Sequence, residues 1–173
     1  MSGAPVAEVQ IRPADPGDLN DIRDILNHEI ATSTASWTTI PKSVDDMAGW
    51  FTARRDGGFP VLVAEVAGTN AGYASFGPFR SGEGYAGTVE HTVYVAKAFR
   101  RRGIARMLLQ ALITAASEAG FRRMVGGVSS GAEGSHALHT ALDFVEAGRL
   151  PGIGMKFGRD LDLISMVRRL DQT

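Results

Sequence analysis

The polar and apolar residues at the start of the chain are spaced as in a strand followed by a helix. Val9 to Arg12 alternates and predicts a strand. Asp15 suits a helix N-cap, because Pro16 follows in the first turn and the acidic Asp18 lies three residues after the cap. The apolar residues of this helix recur at helical spacing, as Leu19, Ile22, Leu26 and Ile30.

A second helix is predicted after Ser43. Asp46 follows Ser43 by three residues, which is the spacing at which a serine N-cap and an acidic side chain bond each other's backbone. Met47, Trp50 and Phe51 give this helix one apolar side, which we expect to face a sheet.

Three strands are predicted in the middle of the chain. The segments Phe59 to Val66 and Ala71 to Phe76 favour strands, and Gly68-Thr69-Asn70 between them predicts a hairpin turn. A loop rich in glycine and aromatic residues follows, from Pro78 to Gly87. The alternating, β-branched segment Thr88 to Val95 is a strong strand prediction.

The remaining sequence changes to helical period and then returns to strands. A helical stripe is formed by Ile104, Leu108, Ala111, Leu112 and Ala115, and Gly120 ends it. Met124 to Val128 predicts a strand, Gly134 to Leu142 a short helix, and Met155 to Phe157 and Leu161 to Val167 closing strands. The order β-α-α-β-β-β-α-β-α-β-β predicts an α/β or α+β protein whose sheet is flanked by helices.

Composition narrows the functional classes. The 173 residues suit one domain over residues 1–173, and the absence of cysteine excludes a disulfide framework and a cysteine nucleophile. The formal net charge of −1 gives no reason to expect a nucleic-acid or membrane partner. The sequence shows no signal-peptide pattern, so we expect a cytoplasmic protein. No metal is expected, because the histidines lack a convincing ligand set: His28, His91, His136 and His139.

The start of the predicted helix after Thr88 to Val95 is basic, which indicates a site for an anion. Arg100, Arg101, Arg102 and Arg106 cluster where the predicted strand Thr88 to Val95 gives way to a helix. Consecutive arginines at a helix N-terminus oppose the helix dipole unless an anion is bound there. Gly103 allows close approach of a ligand to the backbone, and unpaired helix N–H groups suit phosphate. The sequence therefore predicts a pyrophosphate-bearing ligand rather than a solvated basic turn.

The motif R-x-x-G-x-A at Arg100 to Ala105 resembles the acetyl-CoA pyrophosphate signature of the GNAT acetyltransferases. The nucleotide motifs G-x-x-x-x-G-K-[ST] and strand-linked G-x-G-x-x-G are both absent. Nearly the whole chain is similar to the phosphinothricin and methionine sulfoximine N-acetyltransferase branch. The similar segments are TASWTT, GFPVLVAE, AGYASFGPFR, VEHTVYV, ALHTALDF and KFGRDLDL.

This resemblance implies a GNAT fold, with a mixed central sheet splayed around acetyl-CoA and flanked by helices, and a homodimer. It also implies a set of cofactor-binding residues: Val93, Tyr94, Val95, Arg100, Arg101, Arg102, Gly103, Ile104, Ala105, Arg106 and Ser135. Glu90 matches the proposed general base of the family, which accepts a proton from the acceptor amine. His139 lies where many GNAT enzymes carry a tyrosine that protonates the departing thiolate. His139 could donate that proton, or it could pack or bond to the cofactor.

The acceptor site is expected around Arg80, which could pair with a substrate carboxylate. The other expected substrate-binding residues are Trp37, Phe79, Glu90 and His91. The chain also departs from the family pattern: an asparagine is missing around Gly131 to Gly134, and His91, Asp143 and Asp160 replace the usual residues.

The expected function is transfer of acetyl from acetyl-CoA to the amino group of a small amino-acid-like acceptor of the phosphinothricin or methionine sulfoximine type. Two alternatives remain open at this point. The acceptor could be an aminoglycoside, polyamine or protein amine, for which Glu29, Glu83 and Asp160 are candidate acidic residues. The chain could also be a non-catalytic acyl-CoA-binding module.

Overall fold

A computed structural model describes residues 8–170 of the chain. The first seven residues, part of the segment expected not to form a signal peptide, lie outside the described residues. The seven strands of the described chain are β1 (Val9–Pro13), β2 (Val61–Val66), β3 (Thr69–Pro78), β4 (Thr88–Val95), β5 (Arg123–Ser129), β6 (Val145–Lys156) and β7 (Arg159–Arg169). Its four α-helices are α1 (Leu19–Thr32), α2 (Val44–Asp56), α3 (Ile104–Glu118) and α4 (Glu133–Thr140).

All seven strands form one mixed sheet in the order β1-β2-β3-β4-β5-β7-β6. Neighbouring strands run antiparallel except β4 and β5, which pair in parallel. Their connection through α3 is the crossover that a parallel pair requires. The element order and the mixed sheet flanked by helices confirm the predicted fold class.

Helices cover both faces of the sheet and divide the core in two. On one face, α1 and α2 bury Ile22 and Met47 against Val63 and Tyr73 of the sheet. On the other face, α3 buries a stripe against the sheet, formed by Ile104, Leu108, Leu109, Leu112, Ile113 and Ala116. No helix within residues 8–170 is long and apolar enough to cross a bilayer.

The two predicted helix starts are confirmed by their capping hydrogen bonds. Asp15 caps a 3₁₀ turn at Pro16–Asp18 that leads into α1, and the Asp18 carboxylate accepts from the Asp15 N–H at 2.8 Å. The Ser43 hydroxyl accepts from the Asp46 N–H at 3.1 Å, while the Asp46 carboxylate accepts from the Ser43 N–H at 2.8 Å. Each start is therefore fixed by side chains close to it in sequence.

Two boundaries predicted from the sequence are wrong. The β2–β3 turn lies at Ala67-Gly68, both at positive φ, and Thr69 and Asn70 already belong to β3. The closing strands are also much longer than predicted, because β6 and β7 form a hairpin whose two strands have 12 and 11 residues. Irregular pairing within β6 between Glu146 and Gly148, and between Leu150 and Gly154, obscures its alternation in the sequence.

Candidate active site

A cleft opens where β4 and β5 diverge. Their parallel pairing is confined to the start of the strands and ends at Glu90 opposite Val125, although β4 continues to Val95. Beyond this point, the edge of β4 that faced β5 has no partner strand, so its backbone groups are free to bond a ligand. The cleft has a volume of about 310 Å³ and is lined by both strands together with α3 and α4.

The start of α3 closes one end of this cleft with unpaired backbone N–H groups. Gly103 is the N-cap and has φ of +78°, and Arg101 also has positive φ, at +62°. No acidic side chain lies in the first turn of α3. Left-handed residues before a helix create a concave array of N–H groups that suits an anion.

The arginines of the motif have different surroundings. The Arg100 guanidinium pairs with the buried Glu29 of α1 and donates to the Val95 carbonyl at 3.2 Å. The Arg102 guanidinium lies 5.4 Å from the centre of the Phe99 ring, and Arg101 and Arg102 are exposed. Arg100 therefore ties α1 to the end of β4, while the exposed arginines give the helix start its positive charge.

His91 and His139 form a buried pair on the cleft wall. Their Nε2 atoms are 3.0 Å apart, their rings stack at 5.0 Å, and both rings lie edge-on to Phe144. The His139 Nδ1 lies 2.7 Å from the Ser135 carbonyl, so Nδ1 carries the proton and Nε2 accepts one from His91. Burial lowers the pKa of His91 to about 3 and also lowers that of His139, so both rings are neutral at pH 7.

Gly126 of β5 makes room for this pair. A Cβ at Gly126 would lie 2.5 Å from the His139 Nε2 and 2.7 Å from the His91 Nε2. The pleat of β4 sends His91 towards α4, whereas the expected acceptor-side residue Glu90 faces the opposite side of the sheet. His91 therefore lines the cleft and does not face the expected acceptor site beside Glu90.

Glu90 lies beside the cleft wall, and Arg80 influences its carboxylate electrostatically. One Glu90 carboxylate oxygen is 3.7 Å from the position a Cβ would take on Gly127, a residue of the cleft wall. Desolvation raises the pKa of Glu90, and the Arg80 guanidinium partly offsets that increase. Arg80 is exposed and lies 5.1 Å from the centre of the Phe79 ring. The charge of the exposed Arg80 therefore acts on a carboxylate that lies beside the cleft wall.

Trp37 holds the α1–α2 loop against the sheet. Its indole N–H donates to the Ser129 hydroxyl at 3.1 Å, and its ring occupies the space where Gly154 of β6 would carry a side chain. The buried Lys156 of β6 fixes the same loop by donating to the carbonyls of Ser33 and Ser36. Trp37 therefore fastens the loop beside the cleft.

Comparison with known proteins identifies this arrangement. The sequence model of the acetyltransferase (GNAT) family matches residues 22–144. The chain belongs to the GNAT acetyltransferase family. The structural neighbours of the GNAT chain carry the same fold, which confirms the expectation of an acetyl-CoA-dependent N-acetyltransferase.

Two relatives confirm the predicted branch of the GNAT family. The chain is 44% identical over 164 residues to an L-methionine sulfoximine/L-methionine sulfone acetyltransferase of Pseudomonas paraeruginosa, covering 94% of this chain and 95% of the relative. It is 36% identical to the phosphinothricin N-acetyltransferase of Alcaligenes faecalis, covering 93% and 82% of the two chains. A solved Salmonella typhimurium structure with its cofactor acetyl-CoA has a TM-score of 0.93 and 41% identity, covering 95% of each chain.

The cleft of this GNAT chain fits acetyl-CoA. On the free edge of β4, the backbone of Val93 and the N–H of Val95 can bond the amide groups of a pantetheine arm, and the α3 start can hold a pyrophosphate. Small residues keep the cleft open: Ala105, Gly127, Ala132, Gly134 and Ser135. Ile104 is buried in the core, so only its backbone is available to a ligand.

One departure from the GNAT family pattern has a structural explanation. Asp143, which replaces a glycine, adopts φ of +60°, a conformation that aspartate tolerates better than most residues. Its carboxylate accepts from Arg168 Nη1 at 2.9 Å. Gly131 also has positive φ, at +83°, in the turn before α4.

Sequence reasoning missed several residues of the site. Glu29 was considered only as part of an acidic acceptor pocket with Glu83 and Asp160, but it pairs with Arg100, and the other two acids lie exposed at separate sites. Thr92 and Leu138, which line the cleft, were also missed. The alternation of β4 could have assigned Thr92 to the face of Glu90.

No group of acidic residues and histidines suited to a metal occurs in the described part of the chain.

Proposed function

We propose that this GNAT enzyme transfers the acetyl group of acetyl-CoA to the α-amino group of a small amino-acid-like acceptor. The observation that carries the proposal is the position of Glu90 beside Gly127 of the cleft wall, where its carboxylate also feels the charge of Arg80. A free amino acid offers an amine to a base and a carboxylate to a guanidinium, so both groups have a partner.

The acceptor class follows from the relatives. Relatives that are 42–44% identical to this chain are named for methionine sulfoximine and methionine sulfone, and a relative that is 36% identical is named for phosphinothricin. All three acceptors are amino acids with a tetrahedral sulfur or phosphorus group at the end of the side chain. We therefore propose acceptors of this class for this chain.

Acetyl-CoA supplies an acetyl thioester. The protein supplies the group that accepts a proton from the acceptor amine. The Glu90 carboxylate accepts a proton from the acceptor ammonium, and its raised pKa brings it closer to the working pH. Direct transfer needs no enzyme nucleophile, in keeping with a chain that has no cysteine. His139 was a candidate proton donor to the departing thiolate, but its Nδ1 bonds the Ser135 carbonyl and its Nε2 accepts from His91, so the thiolate takes its proton from water.

Release of free CoA from acetyl-CoA tests the function. The panel contains L-methionine sulfone, L-methionine sulfoximine, phosphinothricin, ordinary amino acids, a polyamine and an aminoglycoside. We expect turnover with the first three and no comparable turnover with the cationic amines. Preference for a polyamine or aminoglycoside would overturn the acceptor class, and binding of acetyl-CoA without any turnover would favour a non-catalytic module.

A homodimer is part of the proposal. The strand β6 is an edge of the sheet and exposes apolar side chains to a degree unusual for a free surface: Val145 at 65%, Leu150 at 49%, Ile153 at 56% and Met155 at 70%. A second copy presenting the same strand would cover this surface, since a two-fold interface is self-complementary. One domain over residues 1–173 and a cytoplasmic location complete the proposal.

A further inference from the structure

A second pocket lies on the α1/α2 face of the sheet. Its volume of about 340 Å³ is that of a small-ligand site. Leu26, Met47 and Trp50 give it an apolar side. Thr92 and Tyr94 of β4 line both this pocket and the cofactor cleft, so the two spaces meet at the strand that carries Glu90.

Arg54 of α2 brings a positive charge into this pocket, which Lys42 and Asp46 also line, with the Asp46 carboxylate bonded to Ser43. The side chain is half-buried, its Nε is fully buried without a hydrogen-bond partner, and Arg54 forms no ion pair within residues 8–170. Its guanidinium lies 6.0 Å from the centre of the Trp50 ring. Burying a cation without a hydrogen-bonding partner is costly. An oxygen acceptor supplied by a ligand would offset that cost.

A glycine of β3 makes the position of Arg54 possible. A Cβ on Gly77 would lie 1.8 Å from the Arg54 Nη1, so the guanidinium occupies the space of a missing side chain. Gly77 is the register partner of Glu90 across the β3–β4 pair. The Arg54 cation is therefore held over the backbone next to the strand position of the proposed base.

The two guanidinium groups near Glu90 are placed for different parts of an acceptor. Arg80 lowers the pKa of Glu90, and Arg54 lies over Gly77, the β3 residue that pairs with Glu90. The carboxylate of an amino acid is one carbon away from the amine, so it belongs with Arg80. The acceptor side chain then extends past the apolar side of the pocket towards Arg54.

We propose that Arg54 binds the oxygens of the tetrahedral sulfur or phosphorus group at the end of the acceptor side chain. This inference rests on the proposed function and adds the residue that recognises the acceptor class. A guanidinium offers a fork of N–H donors that suits two oxygens on one centre. The pocket then distinguishes methionine sulfone from methionine, which is similar in shape but lacks those oxygens.

Kinetics with two matched acceptors test the assignment. For Arg54→Met, we expect KM for L-methionine sulfone to rise about tenfold or more, because charge-assisted hydrogen bonds are lost. The weaker reaction with L-methionine should change by less than about twofold, since no such bond exists there. Arg80→Met should impair both acceptors, and Arg55→Met, an exposed neighbour on α2, should impair neither. Equal losses for both acceptors with Arg54→Met, or no loss, would overturn the proposal.

A binding measurement separates this inference from the proposed function. Calorimetric titration of L-methionine sulfone into the enzyme with CoA needs no turnover. Selective loss of sulfone binding in Arg54→Met supports the assignment, and failure of the wild-type protein to bind the sulfone overturns it. Binding without turnover would instead overturn the proposed catalysis alone.

Two further variants keep the test valid if Arg54→Met does not fold. Gly77→Ala keeps the guanidinium but displaces it, and should show the same selective loss of sulfone binding. Arg54→Lys keeps the charge without the fork and should bind the sulfone with intermediate affinity. Unchanged sulfone binding in both folded variants, checked by thermal denaturation, would overturn the assignment.

Discussion

Glu90 and His91 are sequence neighbours with unrelated surroundings. The pleat of β4 directs Glu90 to the side of Arg80 and the α1/α2 face, where it stays open to an acceptor. It directs His91 into the opposite core, against His139 and Phe144. The pH dependence of activity and that of stability are therefore expected to arise from adjacent residues.

The first residue-scale prediction concerns the acidic limb of activity. Because Glu90 must be ionised to accept a proton and its pKa is raised, kcat/KM should fall at a higher pH than for an ordinary carboxylate. Because Arg80 lowers the pKa of Glu90, Arg80→Met should move the acidic fall of kcat/KM to still higher pH. Glu90→Gln should lower kcat by about 10²-fold or more and remove the limb. Full activity of Glu90→Gln at every pH would exclude Glu90 as the base.

The second residue-scale prediction concerns stability below neutral pH. The unfolded chain protonates His91 near its ordinary pKa of 6.5, whereas the folded chain resists protonation down to about 3. The free energy of unfolding should therefore decrease as pH falls through this window, by about 1–2 kcal/mol between pH 7 and pH 5. Urea denaturation of His91→Thr should show a smaller decrease than the wild-type protein. An equal decrease in both would assign the effect to other groups.

Sequence reasoning proposed Glu90 and Arg80 as site residues, but it did not predict the contacts around the site. Glu90 and Arg80 could be proposed because the resemblance supplied aligned motifs. The contacts of His91 with His139 and of Arg54 with Gly77 join residues that are far apart in the chain. Such contacts depend on strand register and helix placement, which no local pattern in a single sequence encodes.

At the scale of elements, local chemistry decided what could be predicted. The starts of α1 and α2 were predicted correctly because Asp15 and Ser43 bond groups three residues away. The β2–β3 turn was misassigned because Ala67 adopts a positive φ that its residue type disfavours. The length of β6 was underestimated because its pairing with β7 shifts register twice.

The element-scale prediction compares the two ends of α3. Gly103 and Gly120 both have positive φ, at +78° and +83°, and a Cβ would meet no neighbouring atom at either position. Each Gly→Ala change should lower stability by about 1 kcal/mol through backbone strain. Only Gly103→Ala should also weaken acetyl-CoA binding, measured by calorimetry, because it alters the helix start. Equal acetyl-CoA affinity in the two variants would argue against that binding site.

At the scale of the whole molecule, the divergence of β4 from β5 organises the site. The sequence predicted both strands, and the resemblance implied a sheet splayed around acetyl-CoA without saying which strands separate. The position of the divergence, after Glu90, appears only in the pairing register. That register places the proposed base where the paired sheet ends and the cleft begins.

The whole-molecule prediction concerns assembly through β6. A double change of Ile153→Glu and Met155→Glu places charges on the exposed apolar strand and should convert a dimer into a monomer in sedimentation analysis. Ile40→Glu, at a residue that is 72% exposed in the α1–α2 loop, should leave the dimer intact. A monomeric wild-type protein at micromolar concentration would contradict the proposed interface.

The buried Lys156 has a consequence for how activity depends on enzyme concentration. It belongs to β6, the strand proposed to meet a second copy, and its ammonium holds the carbonyls of Ser33 and Ser36 in the loop next to the cleft. Loosening β6 therefore loosens the loop that carries Ala35, a residue of the cleft wall. Dilution below the dimer dissociation constant should accordingly lower turnover per protomer, and Lys156→Met should make turnover less dependent on dilution.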